Sequence, residues 1–539
     1  MSSKLVKGTA ILTIGLFLSK ALGLLYLIPL YAIVGKESMG LYQYAYIPYN
    51  IALAIAISGA PLAVSRFVAR YNALGDYATG RKLMKSGMYV MAFTGVLSFL
   101  ALYFLAEPIA HLVRTDDEQI FTIAEITSVI RWVSFALLVV PMMSIVRGFF
   151  QGYQKMMPSS VSQLVEQIVR IIAVLVGALI VVNFMHESTE KAINFAVFGA
   201  FIGALGGLVV LFWYWKKYKP ELDYLLESST APQSDVSFKS MYIELFSYVL
   251  PFVLVGVINP LYQFVDMVTF NDAMASIGKA SVSDVYLAML NLLTHKFVMI
   301  PVMIATGFSM ALIPHLTTYY TKNDQKGITR SLDQTYQIMM YLTVPIVIGL
   351  IVLADEFYQL LYEKDAMGAE ILANYAPVAI LFGLFTVSAA MLQGIDRHKW
   401  IIFNSLLGLL IKLVINIPLI KLFETNGAIL ATSIGYGVAV ALNIAVVTRV
   451  LQYKSKVVFR RIVLIGILNL IMYIAVVYVL KGLTAFSVVD GKMHALLYIL
   501  ICAFVGAIIY GYLSLKTGLA QKLFGDRLTR FTDKLGFRR

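Results

Sequence analysis

Charge is what this chain has least of. Only 14% of its 539 residues are Asp, Glu, Lys or Arg, 60% are hydrophobic, and the mean hydropathy is +0.80. Soluble domains carry about a quarter charged residues, so a soluble globular fold is excluded. Cysteine is nearly missing as well. The lone Cys502 lies inside an apolar run, which rules out an intramolecular disulfide and a thiolate metal cage. The six histidines, at 111, 186, 295, 315, 398 and 494, lack the spacing of a zinc site. No Walker-type glycine loop is present. A membrane glycosyl or acyl transferase using His295 or Asp266 would need several polar groups at one membrane face, and no such cluster occurs. The sequence is therefore read as a non-enzyme with no catalytic residue, no cofactor and no metal.

What is present in abundance is apolar length. Crossing about 30 Å of hydrocarbon takes roughly 20 mostly apolar residues, and fourteen runs qualify: 9–33, 41–65, 87–106, 126–148, 160–183, 193–215, 246–270, 286–313, 335–354, 371–393, 400–420, 427–448, 462–480 and 494–514. The first is too long for a signal-peptide core and is read as retained. With the N-terminus cytoplasmic, the cytoplasmic loops collect 30 of the 43 Lys and Arg, and the external loops 8. Basic loops resist translocation. Both termini are thus expected in the cytoplasm. The same bias accounts for most of the net charge of +13 and makes a nucleic-acid partner unnecessary.

The chain also matches itself. Ile57-Ser58-Gly59 aligns with Ala305-Thr306-Gly307, Tyr71 to Asp76 with Tyr319 to Asp324, and Gln151-Gly152 with Gln393-Gly394, which places Arg170 on Lys412; further on, across a loop deletion, Asn194 and Gly203 match Asn426 and Gly435. Duplicated bundles of this kind are common in transporters. The expected fold class is all-α integral membrane, with 14 transmembrane helices arranged as two repeated six-helix lobes plus two extra C-terminal helices. The expected divisions are a first lobe at 1–215, a cytoplasmic linker at 216–245, a second lobe at 246–448, a two-span appendage at 449–515 and a basic amphipathic tail at 516–539. The tail's periodic leucines suit a helix lying on an anionic leaflet.

Seven charges within the spans remain unexplained by loop placement: Lys20, Arg131, Arg170, Lys296, Lys412, Glu166 and Asp266. A charge in the membrane interior needs a partner or a watery cavity. Arg131, beside Trp132, is expected to snorkel to the headgroups. Glu166 and Arg170 share a helix face at i,i+4 and can neutralise each other; a structural and a functional pair read alike. Lys412 is expected to pair with Asp266. Lys20 and Lys296, the latter next to His295, have no evident acid and suit an anion such as a pyrophosphate.

Ser19-Lys20-Ala21-Leu22-Gly23, then Gly59-Ala60-Pro61-Leu62-Ala63-Val64-Ser65-Arg66, and Arg147-Gly148-Phe149-Phe150-Gln151-Gly152 followed by Pro158-Ser159-Ser160 together resemble the polysaccharide-transport branch of the multidrug/oligosaccharidyl-lipid/polysaccharide exporter superfamily. Within it, the likeness is to stage V sporulation protein B and YtgP-like proteins and to the MurJ-type lipid II flippases. The resemblance implies two six-helix lobes in a V, a cationic central cavity and a groove at the last two spans for an isoprenoid tail. It places essential cavity cations at Lys20 and Lys296. Two further family arginines fall here on Tyr26 and an apolar residue near Leu53, a departure from the pattern. Some relatives hold sodium near the position of Asp266, where Lys412 supplies a positive charge instead.

The resulting expectation is a flippase of the bacterial cytoplasmic membrane that moves an undecaprenyl-pyrophosphate-linked cell-wall precursor, lipid II foremost, outward by alternating access. Lys20, Lys296, Arg170, Lys412 and His295 would contact substrate, and Glu166 and Asp266 would serve as charge pairs or coupling groups. The expected partners are that lipid-linked sugar, membrane lipids and cell-wall synthesis proteins. The competing readings are a multidrug or cation exporter of the same superfamily, which would favour an acidic cavity, and a flippase for another lipid-linked oligosaccharide.

Overall fold

In a computed structural model of the chain, residues 15, 18–19, 21–23, 25–57, 59–229, 237–453, 456–486 and 491–524 are described. Lys20, linker residues 230–236 and tail residues 525–539 lie outside them. The regular elements among the described residues are all helical. In chain order they are α1 (Leu27–Ile57), α2 (Ala60–Ala73), α3 (Tyr77–Val113), α4 (Ile123–Ser134), α5 (Val140–Gly152), α6 (Met157–Leu179), α7 (Thr189–Glu227), α8 (Phe238–Ala275) and α9 (Ala280–Ala288). They continue with α10 (His295–Thr321), α11 (Gln325–Val352), α12 (Ala354–Leu361), α13 (Ala366–Tyr375), α14 (Val378–Gly394), α15 (His398–Leu451), α16 (Lys456–Phe486), α17 (Lys492–Lys516) and α18 (Leu519–Phe524). Hydrocarbon offers the backbone no hydrogen bonds, so each crossing segment must satisfy its own amides and carbonyls, which a helix does.

Among the described residues, twelve helical stretches are long and apolar enough to cross a membrane. Two of these, Ala21–Ala73 and His398–Leu451, are 53 and 54 residues long. At about 1.5 Å per residue each would run roughly 80 Å if straight, far beyond the hydrocarbon. Each is therefore two crossings. The first is broken at Gly35 (φ 79°), between the expected spans 9–33 and 41–65. The second is broken at Glu424 (φ 55°, ψ −131°), between 400–420 and 427–448. The fold is an all-α integral membrane one with fourteen crossings, as the hydropathy pattern predicts.

The break in α15 depends on a glycine. A Cβ on Gly427 would lie 2.0 Å from the Leu419 carbonyl oxygen and 2.3 Å from its carbon. Backbone cannot swing aside as a side-chain tip can. Gly427→Ala is expected to force the two limbs apart at a cost of about 1–3 kcal/mol, the range for overpacking. The check is a lower melting temperature of the purified protein; an unchanged one would contradict the tight turn.

The chain forms two compact units, divided between Val285 and Tyr286. In the first, α6 and α7 make the most extensive helix pairing. Small residues permit it: a Cβ on Gly203 would sit 2.7 Å from the Arg170 Cβ and 2.8 Å from the Glu166 carbonyl oxygen. Val64, Val68, Met143, Phe149 and Phe150 form the adjoining core of α2 and α5. Between α1 and α2, Gly59 adopts φ 75°, with Phe252 of α8 packed where its Cβ would be. Only glycine enters this left-handed region without strain. Its repeat partner Gly307 instead lies within the continuous α10. Most of the polar stretch expected as linker is helix, since α7 runs on to Glu227 and α8 begins at Phe238. Asp223, bonded to Arg81, and Glu221, 2.6 Å from Lys155, hold that extension down.

In the second unit α10 packs on α14, and α11 packs on α16, which in turn packs on α17. Ile465, Leu468, Met472 and Val476 of α16 meet Cys502 and Tyr510 of α17 in one core. Cys502 is buried and free.

Candidate functional site

Four of the span charges, Glu166, Arg170, Lys296 and Lys412, fall in two clusters, one in each unit. In the first, Glu166 of α6 accepts from Arg170 Nη2 at 3.1 Å, the expected i,i+4 pair, and from Arg147 Nη2 at 2.8 Å. Arg147, on α5, lies at the very end of the expected span 126–148 and is counted there with the loop charges. It is buried, its Nε donates to the Ser162 hydroxyl at 2.9 Å, and its carbonyl accepts from Ser159 at 3.1 Å. The helices therefore hold two guanidiniums on one carboxylate, leaving one positive charge over. Tyr26, Tyr46 and Tyr49 lie within electrostatic range of Arg170. Tyr26 and Tyr42 share a hydrogen bond. A net cation walled by phenols is a surface that attracts anionic oxygen.

In the second unit, His295 opens α10 and is buried against α13 and α14. Its Nδ1 shares a 2.9 Å hydrogen bond with the Tyr375 hydroxyl, and its ring packs on Tyr375 and Phe382. Both Lys296 and Lys412 lie within electrostatic range of it. Lys412 has no exposed surface, and its Nζ donates to the Thr432 hydroxyl at 2.8 Å, across the break in α15. Lys296 is half-buried. The structure thus brings His295, Lys296 and Lys412 together. Lys20 lies outside the described residues. Asp266 is buried on α8 in the first unit.

Arg131 does more than snorkel. Its guanidinium lies 3.6 Å from Glu107 and 5.0 Å from the Tyr103 ring centroid, so the headgroup region is not its sole company.

Sequence reading missed a further buried acid. Asp284 of α9 is 1% exposed and accepts from the Tyr44 hydroxyl, the Ile120 amide at 2.9 Å and Gln119 Nε2 at 3.3 Å. Asn271 Nδ2 donates to Tyr44 at 2.8 Å and to the Val113 carbonyl at 3.0 Å. This network ties α1, α3, α8 and α9 at one end of the first unit. The Tyr44, Gln119 and Ile120 partners of Asp284 are 164 or more residues from it in the chain, which no local pattern signals.

An apolar groove of about 590 Å³ opens in the second unit, lined by Pro345 and Gly349 of α11, Met472 and Val476 of α16, and Gly506 and Tyr510 of α17. A separate polar cavity of about 660 Å³ lies at the start of α11. There Asp333 accepts from the Tyr453 hydroxyl at 2.5 Å. Burial first, then the Asp333 carboxylate, raise the Tyr453 phenol above its ordinary pKa, so it remains a donor at neutral pH. Among the described residues, no group of three or more His, Cys, Asp or Glu is placed to hold a metal ion.

Fourteen crossings, a cationic surplus within each of the two charge clusters and a groove for hydrocarbon mark an integral membrane transporter. The model of the polysaccharide biosynthesis protein family matches residues 5–320, and that of the MatE family residues 251–417. The chain is 44% identical over 540 aligned residues to the lipid II flippase MurJ of Bacillus subtilis (strain 168), covering 99% of each chain. It is 27% identical to stage V sporulation protein B of the same organism, over 84% of this chain and 85% of that one. Among solved structures it matches lipid II flippase MurJ in an inward closed conformation, with a TM-score of 0.67 and 16% identity over 95% of this chain and 99% of that one. The chain belongs to the MurJ family of polysaccharide-biosynthesis membrane proteins, and it is a multi-pass protein of the bacterial cytoplasmic membrane.

Proposed function

We infer that the protein is a flippase that carries lipid II, a pyrophosphate-linked cell-wall precursor, outward across the cytoplasmic membrane. The observation that carries this reading is the 44% identity to a lipid II flippase along 99% of both chains. The site chemistry agrees with it. Arg147 and Arg170 against Glu166, and Lys296 and Lys412 beside a buried imidazole, are cationic surroundings suited to a pyrophosphate. Lys20, Lys296, Arg170, Lys412 and His295 are the proposed headgroup contacts, with Asp266 and Glu166 as the balancing acids. The groove along α11, α16 and α17 suits an isoprenoid tail.

A drug or cation exporter would need the opposite sign of charge, and the cationic surplus of the two clusters, Arg147 and Arg170 on Glu166 and Lys296 and Lys412 beside His295, speaks against it. Both termini are proposed to be cytoplasmic. In support, Arg330, Arg461 and Lys522, from three loops expected on that side, line one cavity of the second unit. With that orientation the inside-negative potential favours outward movement of an anion by about 2.3 kcal/mol per charge per 100 mV, a drive that needs no nucleotide.

The test is reconstitution of the purified chain in liposomes with fluorescent lipid II and a membrane-impermeant quencher. Expected is protein-dependent exposure of lipid II in the opposite leaflet, faster when the potential favours anion exit. Exposure no faster than in empty vesicles would refute the assignment.

A further inference from the structure

We propose that the start of α11, with α16 and α18, forms a binding site for the phosphate headgroup of a membrane lipid whose chain lies in the adjoining groove. The cavity there is lined by Lys326, Arg330, Arg461 and Lys522 against the single acid Asp333, which already accepts from Tyr453. Among the described residues Lys326, Arg330 and Lys522 have no ion-pair partner, and Arg461 donates to a neutral acceptor, Gln337 Oε1, at 2.6 Å. The other end of that amide is the second observation: Gln337 is 1% exposed, yet its Nε2 lacks any hydrogen-bond partner. A buried donor left unmade is costly, and Gln337 is part of the lining of this same cavity, so a small side-chain shift would bring that donor to a phosphate oxygen there.

The register of the helices argues for a lipid rather than a free anion. Lys326, Arg330, Asp333 and Gln337 recur at helical spacing, so they form one stripe along α11. Further along the same helix, Tyr341, Pro345 and Gly349 line the apolar groove. On α16, Arg461 faces the cavity while Met472 and Val476, three and four turns further on, face the groove. Two helices thus turn from cationic to apolar in step. That is the polarity profile of a phosphate headgroup above a hydrocarbon chain, and basic pockets beside membrane helices recognise such headgroups. The cationic cavity stands apart from the proposed headgroup contacts, but the groove is the one assigned above to an isoprenoid tail, so in that respect the inference rests on the proposed function, and the phosphatidylglycerol arm of the test separates the two.

Lysine acetylation in reconstituted vesicles tests it. The full-length chain is placed in phosphatidylcholine alone, with phosphatidylglycerol added, with undecaprenyl pyrophosphate added, or with inorganic pyrophosphate in the buffer. A membrane-permeant acetylating reagent is applied briefly, and labelling is read by peptide mass spectrometry. One or both phosphate lipids are expected to slow labelling of Lys326 and Lys522 by about fivefold, the contribution of one basic group to an anionic headgroup, with the exposed Lys216 and Lys217 unaffected. Arg330→Gln should abolish most of that protection. Whichever lipid protects identifies the source of the phosphate. Equal protection by inorganic pyrophosphate would make this a free-anion site and overturn the proposal. So would equal slowing at Lys216 and Lys217, protection that survives Arg330→Gln, or no protection at all.

Discussion

Glu166→Ala is expected to lower the melting temperature by several degrees and to abolish transport. The carboxylate sits between two guanidiniums, and the side chains of Arg147, Glu166 and Arg170 are 10%, 13% and 15% exposed. Removing the shared acid leaves two buried positive charges uncompensated. Breaking a buried ion pair by deleting one partner costs about 3–5 kcal/mol. Replacing the whole triad is different, because no charge is stranded. The triple variant Arg147→Met, Glu166→Leu, Arg170→Met should therefore regain most of the melting temperature while remaining inactive, which separates the cluster's structural part from its functional one. A Glu166→Ala protein that melts like the parent, or a triple variant that transports, would show that the triad neither holds α5 to α6 nor meets the substrate.

Lys296→Ala is expected to reduce lipid II flipping by about 10- to 100-fold, the equivalent of losing one charged hydrogen bond of ~1.5–3 kcal/mol. Melting should shift little, because Lys296 is only half-buried and its neighbour His295 keeps the Tyr375 bond that anchors the start of α10. Lys296→Arg preserves the charge and should retain part of the activity. Depletion of the resident flippase in a bacterial host, followed by growth on each variant, provides the readout, with membrane abundance measured alongside. Lys20→Ala belongs in the same experiment. Normal growth on Lys296→Ala would remove this lysine from the headgroup contacts.

The spans were legible because hydrocarbon thickness imposes a length on every crossing and basic loops mark one side. Gly35 and Glu424 fall where the sequence places loops, although the helices there run nearly without a gap. The Glu166 and Arg170 pair was legible too, since four residues on a helix bring side chains to one face. Arg147 was not. It stands at the edge of an apolar run, where loop and span look alike, and its partner is 19 residues away on another helix. Lys412 shows the same limit from the other direction. A buried lysine in an apolar run suggests an acid, and the bond it makes to the Thr432 hydroxyl, reached only because α15 doubles back, has no signal in the spacing. Asp284 escaped notice because it lies next to a polar stretch, and its burial comes from four distant segments closing over it.

The helix break at Gly59 and the unbroken course of α10 through Gly307 have a mechanical consequence. The two segments that the sequence aligns therefore differ in course at the same address. The first turns on a glycine joint, whereas its counterpart runs on as helix and carries its own irregularities at Pro301 and Pro314, one turn or more to either side. A bend inherited at one point in the first segment is thus spread over two points in the second.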